Sequence, residues 1–125
     1  MMSTWTGDEL DRIGGADEVT VAPRRPDGSL RGGTTIWVVR VGEELFVRSW
    51  NGRRGSWFRT ALRSHEGRVR AGRLERDVRF AEPGDDTRAA VDSAYRTKYA
   101  RHGDAYVLPL VGDDAAAATL RLVPQ

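Results

Sequence analysis

"TTIWVVRVGEELFVRSW", residues 34–50, is the stretch whose reading decides the fold. Thr34 to Val41 is dense in β-branched and aromatic residues, Gly42-Glu43 offers a turn, and Glu44 to Trp50 resumes the strand chemistry. Two strands joined by a tight turn make a hairpin. Alternation then assigns the faces of the second strand. Phe46, Arg48 and Trp50 share one side, and Leu45, Val47 and Ser49 share the other. In a small closed barrel the second set is interior, so Arg48 and Trp50 face outward toward a helix, a partner subunit or a ligand. Trp37 lies on a strand apolar enough to need cover on both sides, which suits a barrel wall packed against a second subunit.

Upstream of the hairpin, residues 18–23 (EVTVAP) read as a strand, followed by the turn chemistry of Pro26-Asp27-Gly28. The chain opens with a predicted helix. Thr6 and Glu9 stand at capping-box spacing, Trp5 and Leu10 at staple positions, and Gly14-Gly15 ends the element. Downstream, residues 67–72 and 73–80 are two short alternating strands. A second helix runs from Asp86 or Thr87 to Gly103, and residues 117–123 make a closing strand. Residues 105–111 (AYVLPLV) stay ambiguous, because Pro109 argues against a central strand. The expectation is a mainly β, α+β chain. It has six antiparallel strands in a barrel, an N-terminal helix and a helix before the last strand, as one domain over residues 1–125.

Composition narrows the chemistry. Without cysteine, thiolate catalysis and Cys-based metal sites are excluded. His65 and His102 lack carboxylates at ligand spacing, so no metal is expected, and no serine-nucleophile elbow appears. No apolar run is long enough to span a membrane, and no signal-peptide layout opens the chain, so the expectation is cytoplasmic. Lys98 is the single lysine. Nine arginines between Arg53 and Arg79 face only Glu66, Glu75 and Asp77, a locally basic run that favours an anionic partner.

Residues 47–62 (VRSWNGRRGSWFRTAL) bring that charge together with aromatic surface. Glycine-permitted backbone and Arg53-Arg54 in residues 51–56 are the parts of a phosphate-binding loop, and Trp57 with Phe58 could wall a flat ring system. The alternative is that these rings fill a dimer interface and the arginines are solvated. In the second helix, Val91, Ala94, Tyr95, Lys98 and Tyr99 fall on one face. Lys98 then either snorkels from the edge of that face or meets an anionic ligand beside two tyrosine hydroxyls.

"RPDGSLRGGT" resembles the R-x-x-G-x-x-R-x-x-P stretch of the deazaflavin-dependent nitroreductase family, matching at Arg25, Gly28 and Arg31 with Thr34 in place of the proline. That family continues with S-x-G-G, a short loop and W-x-x-N-L. Here stand Ser49, Asn51-Gly52 and Trp57, with Arg53 at the second glycine and Thr60 at the asparagine. Through "IWVVR", "LFVRS", "AYRTKY" and "ATLRL" the whole chain is similar to a family of small proteins of unknown function grouped with the FMN-binding split barrels. The resemblance implies a split barrel that forms a homodimer, with FMN or a deazaflavin coenzyme in a groove between subunits. On it, Arg25, Arg31 and the segment from Ser49 to Trp57, with Trp50, Arg53 and Arg54, would hold the cofactor; Thr34 and Arg48 join that candidate set, and the strand and helix faces read above add Trp37, Tyr95, Lys98 and Tyr99 as candidates to meet the substrate.

Three functions follow. The first is a flavin- or deazaflavin-dependent oxidoreductase acting on a small organic molecule. The second is a cofactor-free split barrel that binds or converts a small aromatic or carboxylate metabolite. The third, single-stranded nucleic-acid binding, is disfavoured by eighteen acidic residues that interrupt the basic faces.

Overall fold

A computed structural model describes residues 4–125. Its seven strands form one antiparallel sheet: β1 (Val19–Pro23), β2 (Thr34–Ile36), β3 (Val38–Val41), β4 (Glu44–Arg48), β5 (Glu66–Ala71), β6 (Leu74–Ala81) and β7 (Thr119–Pro124). Their order is β2-β1-β5-β6-β7-β4-β3. The two edge strands are consecutive in the chain, separated by Trp37 alone. Accordingly the sheet curls until it nearly closes into a barrel.

Six strands were expected, and the seventh comes from dividing one. Residues 34–41 do not run as a single strand. Before Trp37 the chain pairs with β1 (Val19↔Ile36, Val21↔Thr34), and after it with β4 (Val38↔Val47, Val41↔Glu44). One apolar run thus serves two ladders, which alternation within the run cannot reveal. The barrel's split lies at Trp37.

Five helices surround the sheet: α1 (Gly7–Gly14), α2 (Ser56–Ser64), α3 (Arg88–Tyr99), α4 (Asp104–Val111) and α5 (Asp113–Ala116). Helix α1 begins as its local chemistry dictates. The Thr6 side chain accepts from the Glu9 N–H, and the Glu9 carboxylate accepts from the Thr6 N–H. Helix α2 takes up Trp57 and Phe58, while the expected phosphate loop, residues 51–56, is a single 3-10 turn (Gly52–Arg54) leading into it. Trp57, Phe58, Ala61 and Leu62 recur at helical spacing, and the first three are buried. The ambiguous apolar run is α4, with Pro109 in its last turn. There the missing N–H removes only one late hydrogen bond.

Two apolar clusters divide the burial. Val19, Val21, Leu45, Val47, Val69, Val78, Leu120 and Leu122 fill the barrel, with α1 contributing Leu10 and Ile13 and α2 contributing Phe58 and Ala61. Outside it, Val39 and Phe46 pack against Val91, Tyr95 and Tyr99 of α3 and Val107, Leu110 and Val111 of α4. The face assignment within β4 therefore holds, and the outward face meets helices. The arginine run is less basic in three dimensions than in sequence. Across the β5–β6 hairpin Arg70 stands opposite Glu75 and Arg79 opposite Glu66, while Arg68 forms an ion pair with Asp77.

Candidate functional site

A cavity of about 690 Å³ opens beside the split. Its walls come from β2 and Trp37, from Asp17-Glu18 ahead of β1, from Arg31, from residues 48–51 at the end of β4, from residues 55–57 at the start of α2, and from His102, Tyr106 and Leu110. The strand break is what assembles it, because Trp37 and the end of β4 meet where the two ladders part.

Three aromatic layers stand behind one wall. The Trp37 ring stacks on Tyr99 with centroids 3.9 Å apart and planes within 2°. Tyr99 in turn lies 6.0 Å from Tyr95, and His102 leans on Trp37 at 5.0 Å. The hydroxyl of Tyr99 has one proton to share between Asp17 O (2.8 Å) and Val38 O (3.0 Å), and it accepts from Val38 N–H (3.1 Å). Burial pushes the Tyr99 phenol up to about 12 and the Tyr95 phenol higher still, so both stay neutral.

Arg48 is the most unusual residue of the wall, an arginine buried as deeply as the core. Its Nε donates to Thr119 Oγ1 (2.9 Å), and its Nη1 donates to Leu110 O (2.8 Å) and Asp92 Oδ1 (2.5 Å). The Tyr95 ring lies 5.5 Å from the guanidinium carbon. A charge out of water requires such partners, and Asp92 neutralises it. Nη2, however, is buried with no partner among the described residues. Two other buried donors share that condition, Arg31 Nη1 and Ser49 Oγ. All three residues line this cavity. Buried polar atoms are nearly always satisfied, so three orphans in residues that line one cavity are unusual.

Polarity is unevenly spread. Asp17 and Glu18 precede the Val19↔Ile36 end of the β1–β2 ladder, whereas Arg31 donates its backbone N–H to Pro23 O at the other end. Asp17 pairs with Arg101, which holds its carboxyl below the ordinary range and keeps it ionised.

Of the residues singled out from sequence, Arg31, Thr34, Trp37, Arg48, Ser49, Trp50 and Trp57 line the cavity. Arg25, Arg53, Arg54, Tyr95, Lys98 and Tyr99 do not. Arg25 donates to Leu30 O (3.0 Å) within its own turn. Arg53 binds Glu82 Oε1 (2.6 Å) and Ala117 O (2.9 Å) beside a different depression, and Arg54 is exposed. The expected phosphate loop is also short of donors. The Gly52 N–H is spent on Ser49 O and the Gly55 N–H on Gly52 O. Tyr95 and Tyr99 stand behind Trp37. Lys98 donates to the backbone carbonyls of Gly14 (2.8 Å), Ala16 (2.6 Å) and Val38 (2.7 Å). Burial draws its ammonium down to about 8, with the Asp17 charge opposing, so it remains charged at neutral pH.

Asp17, Glu18, His102, Tyr106 and Leu110 were not anticipated. They arrive from segments distant in sequence, and only the apolar character of residues 105–111 carried any signal. Among the described residues no group of three or more acidic or histidine side chains converges on a metal-sized site, and no helix is long and apolar enough to cross a membrane.

The chain belongs to the bacterial family described as "Uncharacterized protein conserved in bacteria (DUF2255)", whose model matches residues 9–122. No curated protein matches it. Solved structures are similar in fold. A FAD-binding protein from Mesorhizobium loti superposes with a TM-score of 0.57 at 16% identity, covering 100% of this chain and 94% of that one. An F420 reductase gives 0.52 at 15% identity, with 93% and 92% covered. A FAD- and heme-binding protein from Mycobacterium smegmatis gives 0.53 at 21% identity, covering 98% of this chain and 67% of that one. The likeness is one of fold.

Proposed function

We propose that the cavity beside Trp37 binds a flavin or deazaflavin and that the protein is of oxidoreductase type, acting on a small organic molecule. The observation that carries this reading is the trio of unpartnered buried donors, Arg31 Nη1, Arg48 Nη2 and Ser49 Oγ, in three residues that line one cavity. At about 690 Å³ the cavity lies within the range of cofactor sites. Its donor set suits a ring system with polar edges and an anionic group, and Trp37, Trp50, Trp57 and Tyr106 offer flat surface. A bound isoalloxazine or deazaflavin would supply the electron or hydride transfer. The chain's own residues would bind and orient. Arg48, fixed by three hydrogen bonds, holds its charge behind the wall, where a small rearrangement would bring Nη2 to a ligand, and Trp37 is held flat by Tyr99. Such a division of labour asks for no acid–base side chain.

The test is titration of purified protein with FMN, FAD and a deazaflavin, comparing wild type with Arg31→Ala and Ser49→Ala. Each variant should bind about tenfold more weakly or worse, since a hydrogen bond to a charged group contributes about 1.5–3 kcal/mol. Equal or absent binding across all three proteins up to millimolar cofactor ends the reading.

One observation favours a second reading, a cofactor-free barrel that binds a small aromatic carboxylate. With Arg25, Arg53 and Arg54 away from the cavity, two arginines remain there, a number suited to one carboxylate. A colourless protein that binds benzoate in an Arg31-dependent way would select it. Either ligand is expected in a homodimer. The large apolar side chains left most exposed among the described residues are Trp50, Tyr106 and Leu108, and the first two line the cavity.

A further inference from the structure

The single lysine is absorbed neither by the cavity nor by the core. Its ammonium has three N–H bonds, and all three are used on backbone carbonyls at 2.6–2.8 Å: Gly14 and Ala16 at the end of α1, and Val38 at the start of β3. Gly14 and Ala16 lie at the C-terminal end of α1, where carbonyls lack helical partners and the helix dipole is negative. The neighbouring residue of α3, Tyr99, completes the arrangement, bonding Asp17 O and both backbone groups of Val38 while stacking on Trp37. Two consecutive side chains of one helix therefore tie down residues 14–17 and 38. Those segments directly adjoin or include three cavity-wall residues, Asp17, Glu18 and Trp37.

We propose that Lys98 and Tyr99 are positioning residues for the cavity, the Lys98 ammonium filling a three-carbonyl cage that holds the Asp17-Glu18 arm and Trp37 in the ligand-binding arrangement. Arginine cannot replace it. A planar guanidinium spreads its donors in a fork, whereas three carbonyls converging on one point require a compact, three-donor cation. The bonds also differ from ordinary core packing. They lie at the tail of α1 and at Val38, where β3 enters its ladder just after the break, and they use backbone groups that the β3–β4 pairing does not. Their loss frees the wall and leaves the barrel's hydrogen bonding intact. The groups facing the ammonium are Asp17 and Arg101, an ion pair to each other, and the Tyr99 ring at 4.9 Å.

The inference rests on the cavity being the ligand site, and its test separates the two. Selective 15N-lysine labelling gives one Nζ resonance. Caged, it should persist against solvent exchange at pH 7 and shift when FMN is added. Rapid exchange overturns the cage, and a shift-free titration in which FMN binds overturns the coupling. Lys98→Met keeps the stem and removes the donors. It should keep the far-UV spectrum and cooperative melting yet bind FMN at least tenfold more weakly. In Lys98→Ala, n-propylammonium should restore binding and n-propanol should not. Wild-type-like binding by Lys98→Met, or a deficit in Lys98→Ala that the amine leaves untouched, overturns the proposal. If wild type binds no flavin, the functional reading falls alone. The clamp is then judged on the near-UV circular dichroism band that Trp37→Phe removes. Collapse of that band in Lys98→Ala with recovery on adding n-propylammonium supports the clamp, and an unchanged band overturns it.

Discussion

The indole of Trp37 lies parallel to the phenol ring of Tyr99, 3.9 Å away, at the one residue where the barrel wall breaks. The stack explains how a chain segment outside both ladders keeps a defined position. It also yields a prediction. Tyr99→Phe should preserve the stack but leave Asp17 O and the Val38 N–H without their bonds, costing about 1–3 kcal/mol in urea denaturation. A variant as stable as wild type would show that water replaces the hydroxyl freely.

Arg48 carries a sharper expectation. Arg48→Met removes the guanidinium from a largely buried pair and leaves Asp92 with its Arg88 contact alone, a loss of about 1–3 kcal/mol. Arg48→Met combined with Asp92→Leu should recover much of that loss, because neither charge is then stranded. Denaturation of the single and double variants measures the coupling directly.

Gly55 tests the packing under Ser49. Its φ of −59° and ψ of 136° suit any residue, so backbone strain is not the reason for glycine. A Cβ there would sit 2.3 Å from Ser49 Oγ. Gly55→Ala should therefore destabilise by about 1–3 kcal/mol, and Ser49→Gly in the same chain should relieve most of the clash. A Gly55→Ala variant as stable as wild type would mean that the Ser49 side chain rotates away without cost.

Stability toward acid should depend on Glu9. Burial opposes its ionisation, but the Thr6 N–H, the Arg76 ion pair and the Thr6 hydroxyl together hold its carboxyl below the ordinary value. With the folded value depressed, its contribution is fully present above the unfolded carboxyl pKa of about 4.3 and is lost as pH falls through the folded value. Glu9→Gln should flatten the acid limb of the stability–pH curve between roughly pH 5 and 3. An unchanged curve would assign that limb to other carboxylates.

Self-association is the remaining prediction. Sedimentation at high protein concentration should show a dimer, and replacing Trp50 and Tyr106 with serine should shift it toward monomer, since both rings are exposed at the cavity mouth. A wild-type monomer would place these aromatics in ligand contact alone.

Whatever depends on neighbours within a few residues was legible in the sequence. The Thr6–Glu9 cap, the turn after Val41, the division of β4 into an inward Leu45-Val47 face and an outward Phe46-Arg48 face, and α3 with the 3-10 turn that carries it on to Gly103 all rest on local spacing. Spacing acts through fixed backbone geometry, so it survives without knowledge of the fold. Helix α2 is equally local, its apolar residues standing at helical intervals. What only the tertiary structure decided is which donors meet which acceptors. Arg31 and Arg48 reach the cavity wall while Arg53 turns to Glu82, and Lys98 finds carbonyls 60 to 84 residues away. The split at Trp37 belongs to the same class, since changing partners between two ladders is a property of the closing sheet and not of the residues that change. Side-chain type limits what a group can bind, but only the folded chain determines which long-range partner comes within about 3 Å.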